Sequence, residues 1–149
     1  MDMKPIVLDA FISEGCFDCF DVEDPKLLLL RLRRGLHGRS NTDLIFGGVQ
    51  HVDLPWSLVG VKVYRPRDEF AIEIEKRYAN GDYISDYKGE WAFILESGER
   101  LYHVIASGLW IHVNTLQSEE SSLKYIDEII RGGDGPYHRK YVEEIYKVR

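Results

Sequence analysis

The sequence predicts an α+β fold: a large, mostly antiparallel, meandering β-sheet, arranged as a sandwich or a partly open barrel, with two C-terminal amphipathic helices. Three observations carry this. Runs rich in Val, Ile, Leu, Phe and Tyr recur between turn signals spaced about eight to twelve residues apart, as in sandwiches and barrels. The turn signals are Asp24-Pro25, Pro66-Arg67-Asp68, Asn80-Gly81, Ser97-Gly98 and Ser107-Gly108. After Asn114 the apolar period becomes helical. The 149 residues suit a single domain, 1–149, with a β-rich part over 1–115 and a helical hairpin over 116–149.

In chain order, strands are expected over 5–13, 16–23, 26–34, 43–53, 58–65, 69–79, 82–88, 90–96, 99–106 and 109–114. Asn80-Gly81 is the strongest hairpin signal, because a type I′ turn needs positive φ at both central residues. In the stretch "FAIEIEKRY", Glu73 and Glu75 alternate with Phe70, Ile72 and Ile74, the pattern of a strand with one wet face. Beyond Asn114, Ser118 is expected as an N-cap, with Glu119 and Glu120 suiting the helix dipole. Leu123, Ile126 and Ile130 then share a face, and Gly132-Gly133 stops the helix. Pro136 opens a second helix whose stripe is Tyr137, Tyr141, Ile145 and Val148.

Composition narrows the function. No apolar run approaches the roughly 18–20 residues of a membrane helix. The opening "MDMKPIVLDAF" is acidic where a secretion signal would be basic, so a cytoplasmic protein is expected. A net charge of −6 and a pI near 5.4 argue against a nucleic-acid binder. No phosphate-binding glycine loop, nucleophile elbow or zinc ligand set is present, so no cofactor and no metal is expected. Whether the chain is an enzyme stays open, with the balance against.

The charge is unevenly placed. Residues 1–24 hold seven acids against Lys4 alone, and residues 25–42 hold five bases and no acid. A hairpin turning at Asp24-Pro25 would place Glu23 beside Lys26, Asp18 beside Arg31 and Cys16 beside Arg33, neutralising the two arms across strands. Alternatives are an anion patch in "RLRRGLHGR" and a partner surface on the acidic arm. Cys16 and Cys19 fall on opposite strand faces, which separates this pair from redox and zinc motifs.

Two clusters could carry function. The first is acidic and aromatic: Asp18, Asp21 and Glu23, with Tyr83, Asp86 and Tyr87 from "RYANGDYISDYKGEW", are the candidate contacts for a basic protein partner. The second is a pocket. If Ser107-Gly108 is a hairpin turn, His103 faces His112 across two strands beside Trp110, and His51 and Asp53 are the nearest candidates for further ligands or walls. In size, acidity and lack of a catalytic signature the chain resembles the toxin-neutralising immunity proteins of bacteria. That resemblance is one of class, carried by no motif, and implies an inhibitor-type binding module. The alternative is a small β-rich enzyme or ligand binder with a histidine-lined pocket.

Overall fold

The computed structural model describes residues 11–23, 26–32, 40–78, 89–132, 135–146 and 148. Among them are β1 (Phe11–Glu23), β2 (Leu27–Leu32), β3 (Asn41–Gly47), β4 (His51–Asp53), β5 (Ser57–Tyr64), β6 (Ala92–Ser97), β7 (Arg100–Ile105), β8 (Gly108–Asn114) and β9 (Val142–Tyr146). Helices are α1 (Asp68–Tyr78), α2 (Ile126–Ile130) and α3 (Pro136–Tyr141), with a 3₁₀ turn at Ser122–Tyr125. The strands form one open antiparallel sheet in the order β4-β7-β6-β5-β1-β2-β3-β8-β9. The fold is therefore α+β with one large antiparallel sheet. It is not a simple meander: β1 lies at the centre, the chain begins one wing with β2 and β3, builds the other with β4 to β7, and returns to complete the first with β8 and β9.

The sheet is strongly rolled. Phe46 on β3 and Phe93 on β6 are separated by four strand steps, about 19 Å if the sheet were flat. Their rings lie 5.8 Å apart. The concave face thus closes on itself around Phe17, Leu30, Leu44, Val63, Leu95, Val104 and Ile111, all essentially buried. The convex face carries two separate helical covers. α1 lies over Ala92, Ile94 and Ile105; the C-terminal elements lie over Leu29 and Ile45.

Several expected elements differ. The stretch 69–79 is helix, because Ala71, Ile74 and Glu75 form one buried helical face that a strand could not present together. Glu75 accepts the backbone amides of Gly89 and Trp91 at 3.1 and 3.0 Å, holding the return into β6. The single strand expected over 43–53 is cut at Gly48, which takes the left-handed conformation (φ 62°). Beyond it Gln50 donates to Ile105 and β4 joins the opposite wing. The last helix stops at Tyr141, and β9 pairs with β8 instead. Ile145 is exposed on that strand, and Val148 enters the concave core. Ser121, not Ser118, caps the 3₁₀ turn that leads into α2; Leu123 and Ile129 point inward, whereas Ile130, expected on the face of Leu123, is exposed. The Asn80-Gly81 turn and the strand expected over 82–88 lie outside the described residues, as do Asp24-Pro25 and 33–39.

The acidic and basic arms do pair, with Asp18 opposite Arg31. A bulge at Phe20 then shifts the register, so that Glu23 faces Leu27 rather than Lys26. The ion pair forms on the other side. Arg31 is opposite Asp43 on β3 and binds it with two parallel hydrogen bonds of 2.6 and 2.8 Å. Both residues are fully buried. The guanidinium also donates to the carbonyls of Ser118 and Glu120 at 3.3 and 2.5 Å, tying the C-terminal elements to the sheet. Phe20, thrown out by the bulge, lies 4.2 Å from the same guanidinium.

Removing one partner of a buried pair strands the other charge. Asp43→Ala is expected to lower stability by about 3–5 kcal/mol in urea denaturation. The combined Arg31→Met, Asp43→Leu variant, which leaves no buried charge, should recover much of that loss.

Candidate functional site

The convex face of the β4–β7–β6 wing brings two of the expected pocket residues onto His103. β4 pairs with β7 so that Asp53 is directly opposite His103, while His51 is opposite Ile105 one pair further along. Both rows continue onto β6, at Ile94 and Ala92. Adjacent rows on one face put the imidazoles of His51 and His103 side by side, 5.1 Å apart and near parallel (17°). Tyr78, the last residue of α1, lies across both at 4.7 and 4.6 Å. Beside this stack, α1 and β7 leave a cleft of about 250 Å³, walled by Asp53, Phe70, Glu73, Arg77, Leu101 and His103, among others.

His103 is 8% exposed. Its Nδ1 lies 3.6 Å from a carboxylate oxygen of Asp53, too long for a good hydrogen bond but close enough for attraction. Its Nε2 is buried with no hydrogen-bond partner among the described residues, a cost of about 1–3 kcal/mol. Burial pushes its pKa below the ordinary imidazole value; Asp53 opposes this and His51 adds to it. The ring is therefore neutral at neutral pH. With a proton on Nδ1 facing Asp53, it presents a bare lone pair at Nε2.

His112 and Trp110 do not join this group. Ser107-Gly108 is a bend, not a hairpin turn. Ala106 donates to the Trp91 carbonyl and Ser107 to the Gly47 carbonyl, each at 2.9 Å, as the chain crosses from one wing to the other. β7 and β8 consequently have different neighbours. Trp110 packs against the cluster under the C-terminal elements. His112, 1% exposed, places Nδ1 3.2 Å from the Tyr137 hydroxyl and meets His138 edge-on at 4.9 Å. Glu128 anchors that helix, accepting the Tyr137 and His138 amides at 3.0 and 2.7 Å and lying 2.9 Å from His138 Nδ1. Asn114 completes the network by donating to Asp43 at 2.7 Å. These contacts hold the C-terminal elements against β8 and β3. Among the described residues, no group of three or more His, Cys, Asp or Glu could hold a metal ion.

A second region emerges between the two helical covers, on the convex face of β1 and β5. Bulges at Glu14-Gly15 and at Gly60 (φ 67°) turn Ile12, Cys16, Asp18, Ser57 and Val59 outward, and nothing among the described residues packs over them. Ile12 is 65% exposed and Val59 71%. Trp56, whose carbonyl accepts the Cys19 amide, is 86% exposed at one end of this strip. Glu14, Asp18 and Glu23 are exposed and Asp21 partly so. Tyr83, Asp86 and Tyr87 lie outside the described residues. Cys16 is exposed and Cys19 packs on the concave core, both as free thiols. Burial, and then Asp21, raises the Cys19 pKa.

Trp56 and Val59 were not singled out by the sequence, and Tyr78, in the aromatic stretch that begins "RYANGDY", was expected against Tyr83 rather than on the histidines. Trp56 carried a signal, a lone tryptophan after proline in a turn; Val59 carried none, because a bulge decides its face. No protein-family model, curated protein or solved structure matches the chain, so these two regions stand on their own geometry.

His112 has a measurable consequence. Burial, then the neighbouring His138, lowers its pKa from 6.5 to about 4, against the pull of Asp43 and Glu128. Between those values the unfolded chain binds the extra proton, so the contribution is whole above pH 6.5 and is lost as pH falls towards 4. The loss attributable to this group is about 3 kcal/mol. Denaturation midpoints of the protein should fall across that window more steeply than those of His112→Gln.

Proposed function

We propose that the protein is a binding module that engages a basic protein through the strip of sheet between its helical covers. The observation that carries this reading is the strip itself: Ile12, Val59 and Trp56 are exposed along β1 and the start of β5, with Glu14 and Asp18 among them, Asp21 and Glu23 beyond, and Lys62 opposite Ile12. Large apolar side chains exposed together on an uncovered sheet face, among charged ones, are a feature of interaction sites. Tryptophan at such a place buries a large area with little loss of side-chain freedom, the behaviour of a binding anchor. The acidic rim selects the sign of the partner, and the net charge of −6 reinforces it at long range. An inhibitor of the immunity type, neutralising a basic protein by covering its surface, is the specific form of this reading.

The test compares quantitative capture from host extract by the protein, by Trp56→Ser and by the Asp18→Lys, Glu23→Lys pair. A basic protein enriched by the parent and lost from both variants is the expected result. The association rate of the purified pair should fall on the order of tenfold when salt is raised from low to physiological strength. Capture that survives both variants, or a rate indifferent to salt, would sink the proposal.

A further inference from the structure

The exposed strip does not end at β5. Strand register carries one row of residues across four strands: Ile12 on β1 faces Lys62 on β5, Lys62 faces Glu96 on β6, and Glu96 faces Leu101 on β7. Three strand spacings, about 14 Å, separate its ends. Ile12 is 65% exposed at one end and Leu101 50% at the other. At the Leu101 end α1 borders a groove of about 470 Å³, lined by Tyr64, Phe70 and Leu101 together with Arg67, Glu69, Glu73 and Glu96. Glu96 also lines the hollow beside Ile12 and Val59, so groove and strip adjoin. From this placement we infer that the groove is the second half of the docking surface, and that it takes an apolar side chain of the basic partner flanked by lysine or arginine. The inference rests on the reading of the strip as the docking site of a basic protein, and adds where that partner's second anchor sits.

The walls call for an apolar group. Tyr64 is 3% exposed and its hydroxyl already donates to Glu96 at 3.2 Å, so what it offers an incoming group is its ring. α1 buries Ala71 and Ile74 against the sheet, whereas Phe70 stays 39% exposed beside Leu101. The volume falls within the roughly 300–1,000 Å³ of binding pockets and suits one large side chain with the backbone that bears it. The charges choose the flanking residues. Lys62 and Glu96, directly opposite, offset each other across the strands. Glu69 and Glu73 have no such offset: they are exposed one turn apart on α1, and neither has a basic group within 4 Å among the described residues. Like charges at this helical spacing repel, so a cation brought by the partner is favoured and an anion is opposed. A second copy of the chain, with its net charge of −6, is the poorer occupant for the same reason.

The test uses two peptides in place of the partner. Acetyl-Lys-Phe-Lys-amide is titrated into the ¹⁵N-labelled protein while the amides of Phe70, Gly98 and Leu101 are followed, with acetyl-Glu-Phe-Glu-amide as the control. Saturable shifts with the basic peptide, and at least several-fold weaker binding of the acidic one, are expected. Affinity should fall on the order of tenfold in Leu101→Asp and several-fold in the Glu69→Gln, Glu73→Gln pair, and should be unchanged in Trp56→Ser. The glutamates are exposed, so that pair keeps the test readable if the Leu101 variant does not fold. The inference is overturned if the basic peptide gives no saturable shift, if both peptides bind equally, or if binding survives the Leu101 and double-glutamine variants unchanged. Capture from host extract that is lost in Trp56→Ser but untouched in Leu101→Asp would likewise end it, while leaving the strip as the docking site.

Discussion

The buried pair of Arg31 and Asp43 is the interaction on which the convex side of the molecule depends. One guanidinium is shared between a carboxylate on the neighbouring strand, two backbone carbonyls of the segment after β8 and the ring of Phe20. Five N–H donors in a rigid fork make this possible, and a lysine could not do it. Asp43 in turn accepts from Asn114, and Asn41 donates to both Asn114 and Leu116. Buried charge is tolerated here because its hydrogen bonds are filled. The consequence is directional: the C-terminal elements can seat over Leu29 and Ile45 in only one way, which also decides where they stop covering the sheet.

Where they stop defines the rest. A nine-stranded sheet rolled around its own apolar face needs no helix to close its core, so the helices are free to cover the two wings of the convex side. Each wing is covered by an apolar cluster of its own, Ala71 and Ile74 on one side and Leu123, Ile129 and Tyr137 on the other. Between them β1 and β5 stay bare, and at the far edge α1 meets β7 loosely enough to leave the cleft beside His103. The strip and the cleft are therefore margins of the same packing arrangement: one is the gap between covers, the other the open end of a cover.

Much of the core was readable residue by residue. Strand alternation puts Trp91, Phe93, Leu95, Tyr102, Val104, Leu109, Ile111 and Val113 on one face; the middle six pack in the concave core, whereas Trp91 packs against the cluster under α1 and Val113 is half-buried. A two-residue loop at Ser97-Gly98 would pair Ala92 with His103; Ile94 faces it instead, a register shifted by two residues. A shift of two preserves every face, which is why the inner set survived the error. The mixed outer face of Ala92, Ile94, Ile105, Trp110, His112 and Asn114 had no single explanation in sequence. It is in fact two faces under two different covers. Shared strand parity puts Asp53 and His51 on one face but names no neighbour for them, and His103 does not meet His112 because Ser-Gly can mark a bend as readily as a turn.

The sequence by itself determined that this is an antiparallel sheet with helical covers, which residues line its interior, and that the acidic and basic arms are neighbours, because side-chain period and charge pattern are local properties of the chain. Only the tertiary structure decided the strand order, the partner chosen by Arg31, the helix at 68–78 and the separation of the two histidines. These depend on which wing a segment joins after a bend or bulge. That choice is made by burial against residues far away in sequence, at Glu75 and Gly89, Ser107 and Gly47, and Arg31 and Glu120.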